Sequence, residues 1–188
     1  NTMQALAQAG DRWCTEDNAW CVTLPEGAPP SATHGVKSTT LTISGDGELS
    51  AWPVAIRTTP TGATYLGLVQ SVEQPFSGGG ASAARLTLYE LTESAAGLAS
   101  RPVATLPLSG SAMIRACFDE DDERQRAGAC HDEYSFVTRI TLDEGVSSGA
   151  PRILLETAAG TYPGHVSRRD DSLQAPPLQQ SDLVWAND

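Results

Sequence analysis

From Trp20 onward, apolar residues come in short runs or alternate with polar ones, and clusters of Gly, Pro, Ser or Asp separate the runs. These runs are "WCVTL", "VKSTTLTI", "AWPVAIR", "TYLGLVQSV", "ARLTLYEL", "PVATLPL", "AMIRACF", "EYSFVTRITL" and "RILLET". Side chains on a strand alternate between two faces, so runs of this length and period predict strands. Trp52, Val54 and Ile56 fall on one such face, and Tyr134, Phe136, Thr138, Ile140 and Leu142 on another. Both faces are expected to be core.

The runs beginning near Ala51, Thr64, Arg85 and Pro102 are spaced like a four-strand meander, which suits a sandwich, a barrel or one propeller blade. Several blades are needed to close a propeller, and the acidic segment and polar tail take up too much chain. The predicted fold is therefore all-β, an antiparallel β-sandwich or barrel-like meander, with propeller-like blades as the alternative.

Two segments depart from this pattern. Thr2 is placed to cap a short helix over "MQALAQA", with Gly10 closing it in a left-handed conformation. At the other end, "SRRDDSLQAPPLQQSDLVWAND" lacks periodicity, and Pro176 and Pro177 favour extended backbone. The expected organisation is one β-rich domain over residues 1–168 and an extended arm over 169–188. Leu183, Val184 and Trp185 are expected to anchor the arm on its own domain or on a partner.

A chain of 188 residues can bury one sizeable core without staples. Its four cysteines nevertheless form two sequence-local couples, Cys14 with Cys21 and Cys117 with Cys130, which favours disulfides in an oxidising compartment. Structural zinc usually draws on C-x₂₋₄-C knuckles, and neither couple has that spacing. His131, beside Cys130, is the one residue that keeps zinc in view.

No apolar run approaches the ~20 residues of a membrane-spanning helix. No charged-then-apolar leader opens the chain, so an exported protein is expected to have shed one. The net charge of −11 repels nucleic acid and anionic lipid. Eleven of the twelve basic residues are arginine and one is Lys37, a bias that fits a GC-rich bacterial genome. Lysine-based covalent or phosphate chemistry is left with that one candidate, and no Gly-rich loop precedes it.

Between the second pair of cysteines lies "FDEDDERQRAGA". It is predicted to be a tethered, solvated hairpin connection. Asp119, Asp121 and Glu123, alternating along an extended loop, are the candidate calcium ligands. The EF-hand pattern requires Gly at its sixth position and an acid at its twelfth, where this chain has Arg124 and Cys130. His131, Asp132 and Glu133 cannot all enter one pocket from a strand, because neighbours alternate faces.

"GVSSG" matches G-x-S-x-G at Ser147, but Pro151 and a strand-like run replace the helix that motif needs, and Glu156 is the only acid before His165. "SGGGAS" lacks the phosphate-loop lysine and is followed by a strand. Gly78, Gly79 and Gly80 are instead candidates for close approach by a partner backbone. Trp13, Trp20 and Trp185 could present an aromatic surface to sugars or proteins, against core packing as the default.

The expected function is a secreted or periplasmic interaction module or accessory subunit of an envelope or extracellular assembly, with a protein partner and no catalytic residues assigned. An extracellular glycan-active hydrolase using paired carboxylates, Glu156 or members of the acidic loop, is the enzymatic alternative. A calcium- or carbohydrate-binding module is the third.

Overall fold

A computed structural model describes residues 1–58, 62–143, 150–163 and 179–182. Its strands are β1 (Thr2–Ala5), β2 (Ala7–Ala9), β3 (Arg12–Cys14), β4 (Trp20–Thr23), β5 (Ser31–His34), β6 (Lys37–Thr40), β7 (Glu48–Ala51), β8 (Val54–Arg57), β9 (Thr64–Phe76), β10 (Gly79–Ser94), β11 (Gly97–Arg115), β12 (His131–Leu142), β13 (Ile153–Tyr162) and β14 (Gln179–Asp182). One short helix, α1 (Glu120–Gln125), lies between β11 and β12. All pairing among the described residues is antiparallel, so the all-β expectation holds. No propeller blade recurs among them.

The large sheet runs β1-β8-β9-β10-β11-β12-β13-β14, with β7 also on β9, and curls into a half-barrel. The small sheet runs β2-β3-β4-β5-β6. Two apolar clusters result. Trp20, Val22 and Ala32 of the small sheet meet Leu66, Leu68, Tyr89 and Leu91 of the large one. On the other face of β9 and β10, inside the curl, Tyr65, Leu86 and Leu88 meet Trp52, Ile56, Val103, Leu106 and Ile153. "TYLGL" and "LTLYEL" thus read as nearly continuous apolar runs because their strands are covered on both faces.

The predicted N-terminal helix is replaced by two strands. β1 pairs with β8 and β2 with β3, and Leu6 between them is buried, its N–H donating to Pro53 O at 2.9 Å. A seven-residue helix stands below the length at which helices persist alone, whereas strand edges satisfy the same backbone groups and bury Leu6. Gly10 is indeed left-handed, at φ 66°, but it serves the β2–β3 hairpin and not a helix end.

Two further boundaries differ. "AWPVAIR" splits at Trp52-Pro53 into β7 and β8, though Trp52, Val54 and Ile56 do face the same cluster. "PVATLPL" and "AMIRACF" join in a single 19-residue strand, β11. Its register shifts twice against β10, opposite Leu88/Tyr89 and Ala84/Arg85, so that Pro102 and Pro107 fall beside bulges where ladder bonding is already interrupted.

Of the predicted C-terminal arm, the described part is β14, which pairs with β13. Trp185, His165 and the "GVSSG" motif with Ser147 lie outside the described residues. Both predicted disulfides are formed: Cys14–Cys21 joins directly opposed residues of the β3–β4 hairpin, and Cys117–Cys130 closes the connection that carries α1. No helix among the described residues is long and apolar enough to cross a membrane.

Candidate functional site

β10 and β11 are 16 and 19 residues long, more than the two clusters can cover. Beyond Gln70 the meander continues as a single layer. No residue of 71–85, 107–115 or 131–137 is buried. Register defines its faces, since cross-strand partners share one. One face carries the row Glu73, Ser82, Ser111, Ser135 beside the row Pro75, Gly80, Met113, Glu133. The opposite face carries Val72, Ala83, Gly110, Phe136 and, toward the tip, Phe76, Gly79, Ile114.

Small residues let this layer close without a second sheet. A Cβ on Gly79 would sit 1.9 Å from Met113 O, so the backbones of β10 and β11 pack where only hydrogen fits. The Phe136 ring covers Gly110, with Cε1 2.5 Å from where a Cβ would stand. Ser82 and Ser111 share a hydroxyl hydrogen bond of 2.8 Å across the strands. The glycine triplet therefore divides its work. Gly78, at φ 86°, makes the turn, Gly79 admits the chain's own β11, and Gly80 has room for a methyl, its nearest neighbour being Gln74 O at 3.7 Å.

Three consecutive residues from each of β9, β10, β11 and β12 (73–75, 80–82, 111–113 and 133–135) line a depression of about 550 Å³. Its polar groups are carboxylates and hydroxyls, with Met113 and Pro75 as apolar walls. Neither Glu73 nor Glu133 takes part in a salt bridge among the described residues. Three inter-strand steps and one row separate their backbones, roughly 16 Å at ordinary sheet spacing.

The acidic segment at the same end is not an extended loop. Asp119 is the N-cap of α1, its Oδ1 accepting from Asp122 N at 2.8 Å, while Asp122 Oδ2 accepts from Phe118 N at 3.0 Å. Glu120, Asp121, Asp122 and Glu123 occupy the first turn, where the helix dipole favours negative charge. Asp121 pairs with Arg124. Asp119, Asp121 and Glu123 therefore do not line one side of an extended chain as the calcium reading required, and no group of three His, Cys, Asp or Glu among the described residues is placed to hold a metal. The signal for this helix was present in the sequence, as Asp119 followed three residues later by Asp122, with Gly128 as the stop.

The triplet after Cys130 separates by strand alternation. Asp132 pairs with Arg126, itself 8% exposed and donating to Ala129 O at 2.7 Å, whereas Glu133 borders the depression. His131 lies in a smaller hollow beside the disulfide, with Arg115 stacked over the Phe118 ring at 5.3 Å. Glu156 faces Arg139 across the sheet at 3.8 Å. Trp13 and Trp20 pack in the first cluster, so they form core and not an aromatic platform.

His34 stacks on Trp20, with ring centroids 4.2 Å apart, and its Nδ1 lies 2.5 Å from Glu93 Oε2. Lys37 Nζ donates to Glu93 Oε1 at 2.6 Å. The lysine, then the histidine, hold the Glu93 carboxyl below its ordinary range. This clasp ties the small sheet to the far end of β10, opposite the depression. Near the Cys14–Cys21 hairpin, the Thr15 hydroxyl, the Ala19 N–H and the Arg57 charge lower Asp17 in the same way. Burial raises Tyr65, which donates to Glu90 at 3.2 Å.

The sequence pattern marks the glycines but does not bring Glu73, Met113 and Glu133 together, since they lie on different strands. A usable hint was the matched composition of "GGGASAA" and "SGSA", two stretches of small residues on what proved to be paired strands. No family model, no curated protein and no solved structure matches the chain.

Proposed function

We propose that this protein is an exported interaction module, secreted or periplasmic, whose docking element is the single-layer end of the meander. One observation carries the reading. Among the described residues, seven of the nine exposed large apolar side chains lie on that layer or its disulfide-closed cap: Met113 and Val137 on the face of the depression, Val72, Phe76, Ile114 and Tyr134 on the opposite face, and Phe118 on the cap. Large apolar surface gathered on one element, here on both faces of the layer, marks that element as an interaction site, whereas exposure scattered over the molecule does not. The two disulfides support an oxidising compartment.

The carboxylates do not favour hydrolysis. Glu156, the acid singled out for hydrolysis, is engaged with Arg139 in a cross-strand ion pair. The test of the module reading is Ser111→Trp, which fills the depression from an exposed position. The full chain, immobilised through the distant β5–β6 hairpin, is exposed to periplasmic extract or culture medium of its source. A protein retained by the wild type and lost with Ser111→Trp supports docking at this layer. Loss with Ile114→Glu, on the opposite face, supports docking at the layer as well, and equal retention by the wild type and both variants removes it.

A further inference from the structure

The uncovered layer is also where the negative charge collects. Glu73, Asp132, Glu133 and the five consecutive acids 119–123 stand against Arg85, Arg115, Arg124 and Arg126, a balance of eight to four in a chain whose total is −11, and Arg85 is turned toward Gln70 and Ser44 at the core end. Arg124 and Arg126 are spent on Asp121 and Asp132. Two copies of this chain would therefore meet at this surface with like charge, which opposes self-association.

Resting on the docking reading above, we propose that the depression binds an extended cationic polypeptide segment. Arg or Lys side chains of that segment meet Glu73 and Glu133, and an apolar side chain between them covers Met113 and Pro75. All four residues lie on one face by register. The spacing sets the pattern. Glu73 and Glu133 lie three strands apart and one row offset, roughly 16 Å between backbones at standard sheet dimensions. An extended chain advances about 13 Å over four residues with alternate side chains on one side, and a long basic side chain covers the remainder. The segment thus presents a basic residue, an apolar one and a second basic one at positions i, i+2 and i+4. The serine row and Gly80 leave the floor low enough for its backbone to approach.

The probe is a capped seven-residue peptide with arginines four apart, a leucine midway and threonine or serine elsewhere. Its control has the same composition with the arginines adjacent. Binding to the full chain is followed by titration calorimetry and by chemical shifts at Met113 and Ser111. The expected result is that the spaced peptide binds about tenfold more tightly than its isomer and loses that advantage with Glu73→Gln or Glu133→Gln, but keeps it with the remote Glu16→Gln. Equal affinity for the two isomers, or indifference to both substitutions, reduces the effect to general attraction and overturns the proposal. So does a dimer of the chain alone that Ser111→Trp disperses, because the occupant is then a second copy. If a native partner is lost with Ser111→Trp while neither peptide discriminates, the cationic inference fails and the module reading stands.

Discussion

The two halves of β9–β11 are continuous in backbone but differ in what lies against them. In the half that includes Leu66, Leu68, Leu86, Leu88 and Tyr89, the small sheet covers one face and the curl of the large sheet covers the other. In the half that includes Glu73, Gly79, Ser111 and Met113, neither face is covered. Covered strands carry Leu, Ile and aromatic residues and draw their stability from burial. Uncovered strands carry Gly, Ser and Ala and hold together by backbone ladders, close approach and one disulfide-closed cap. A protein can thus extend a sheet past its core where small residues let paired backbones pack closely, even though large apolar side chains such as Phe76, Ile114 and Tyr134 are left exposed there. The extension then offers a surface that the core half cannot, because the core half has spent its faces on folding.

The largest expected effect tests the covered half. Leu88→Ala leaves a cavity in the second cluster and should cost about 2–5 kcal/mol in chemical denaturation, whereas Ile114→Ala, removing an exposed side chain, should cost no more than about 0.5 kcal/mol. Comparable losses would mean that the extension has a core of its own and would end the comparison.

Next comes the cap. In the chain-entropy view, Cys117→Ser/Cys130→Ser removes about 3 kcal/mol and Cys14→Ser/Cys21→Ser about 2.5 kcal/mol, since the first closes the longer loop. The location of the damage is more telling than its size. Amide hydrogen exchange should accelerate over 116–132 in the first double variant while the Leu66 and Leu88 amides stay protected. Uniform acceleration would show the two halves to be one cooperative unit.

Neighbouring glycines sharpen the contrast within the uncovered half. Gly79→Ala places a methyl against Met113 O and should destabilise the hairpin by about 1–3 kcal/mol, with exchange accelerating at its tip. Gly80→Ala meets nothing closer than 3.7 Å and should stay within about 0.5 kcal/mol of the wild type.

The smallest effect is at the exposed clasp. The folded-state carboxyl of Glu93 lies below its unfolded value, so its contribution is present above the unfolded value and is lost as pH falls through the folded one. Glu93→Gln should lower the melting temperature by no more than about 2 °C at pH 7, and the difference should shrink as pH falls below the unfolded carboxyl value. A pH-independent difference would assign the loss to packing on Trp20 instead.

Much of the fold was legible because strand period and turn composition are local properties. The meander from Ala51 to Leu108, the pairing of nearby cysteines and the apolar face of Ile140 and Leu142 follow from spacing alone. The N-terminal segment was not legible. Gln, Ala and Leu favour a helix in isolation, and the strand edges that captured the segment belong to β8 and β3. Nor was Tyr134, which alternates correctly with Phe136 and Thr138 yet is 40% exposed, because period two assigns a face without saying whether anything covers it.

That limit divides the molecule's properties by cause. Strand content, the oxidised cysteine couples and an overall repulsion of polyanions are properties of residue order and composition, since each depends on neighbours in the chain or on summed charge. The meeting of Glu73, Gly80, Met113 and Glu133 on one open face belongs to the tertiary structure. Those four residues come from four strands, and only hydrogen-bond register across the sheet, together with the point at which the second layer stops, brings them together.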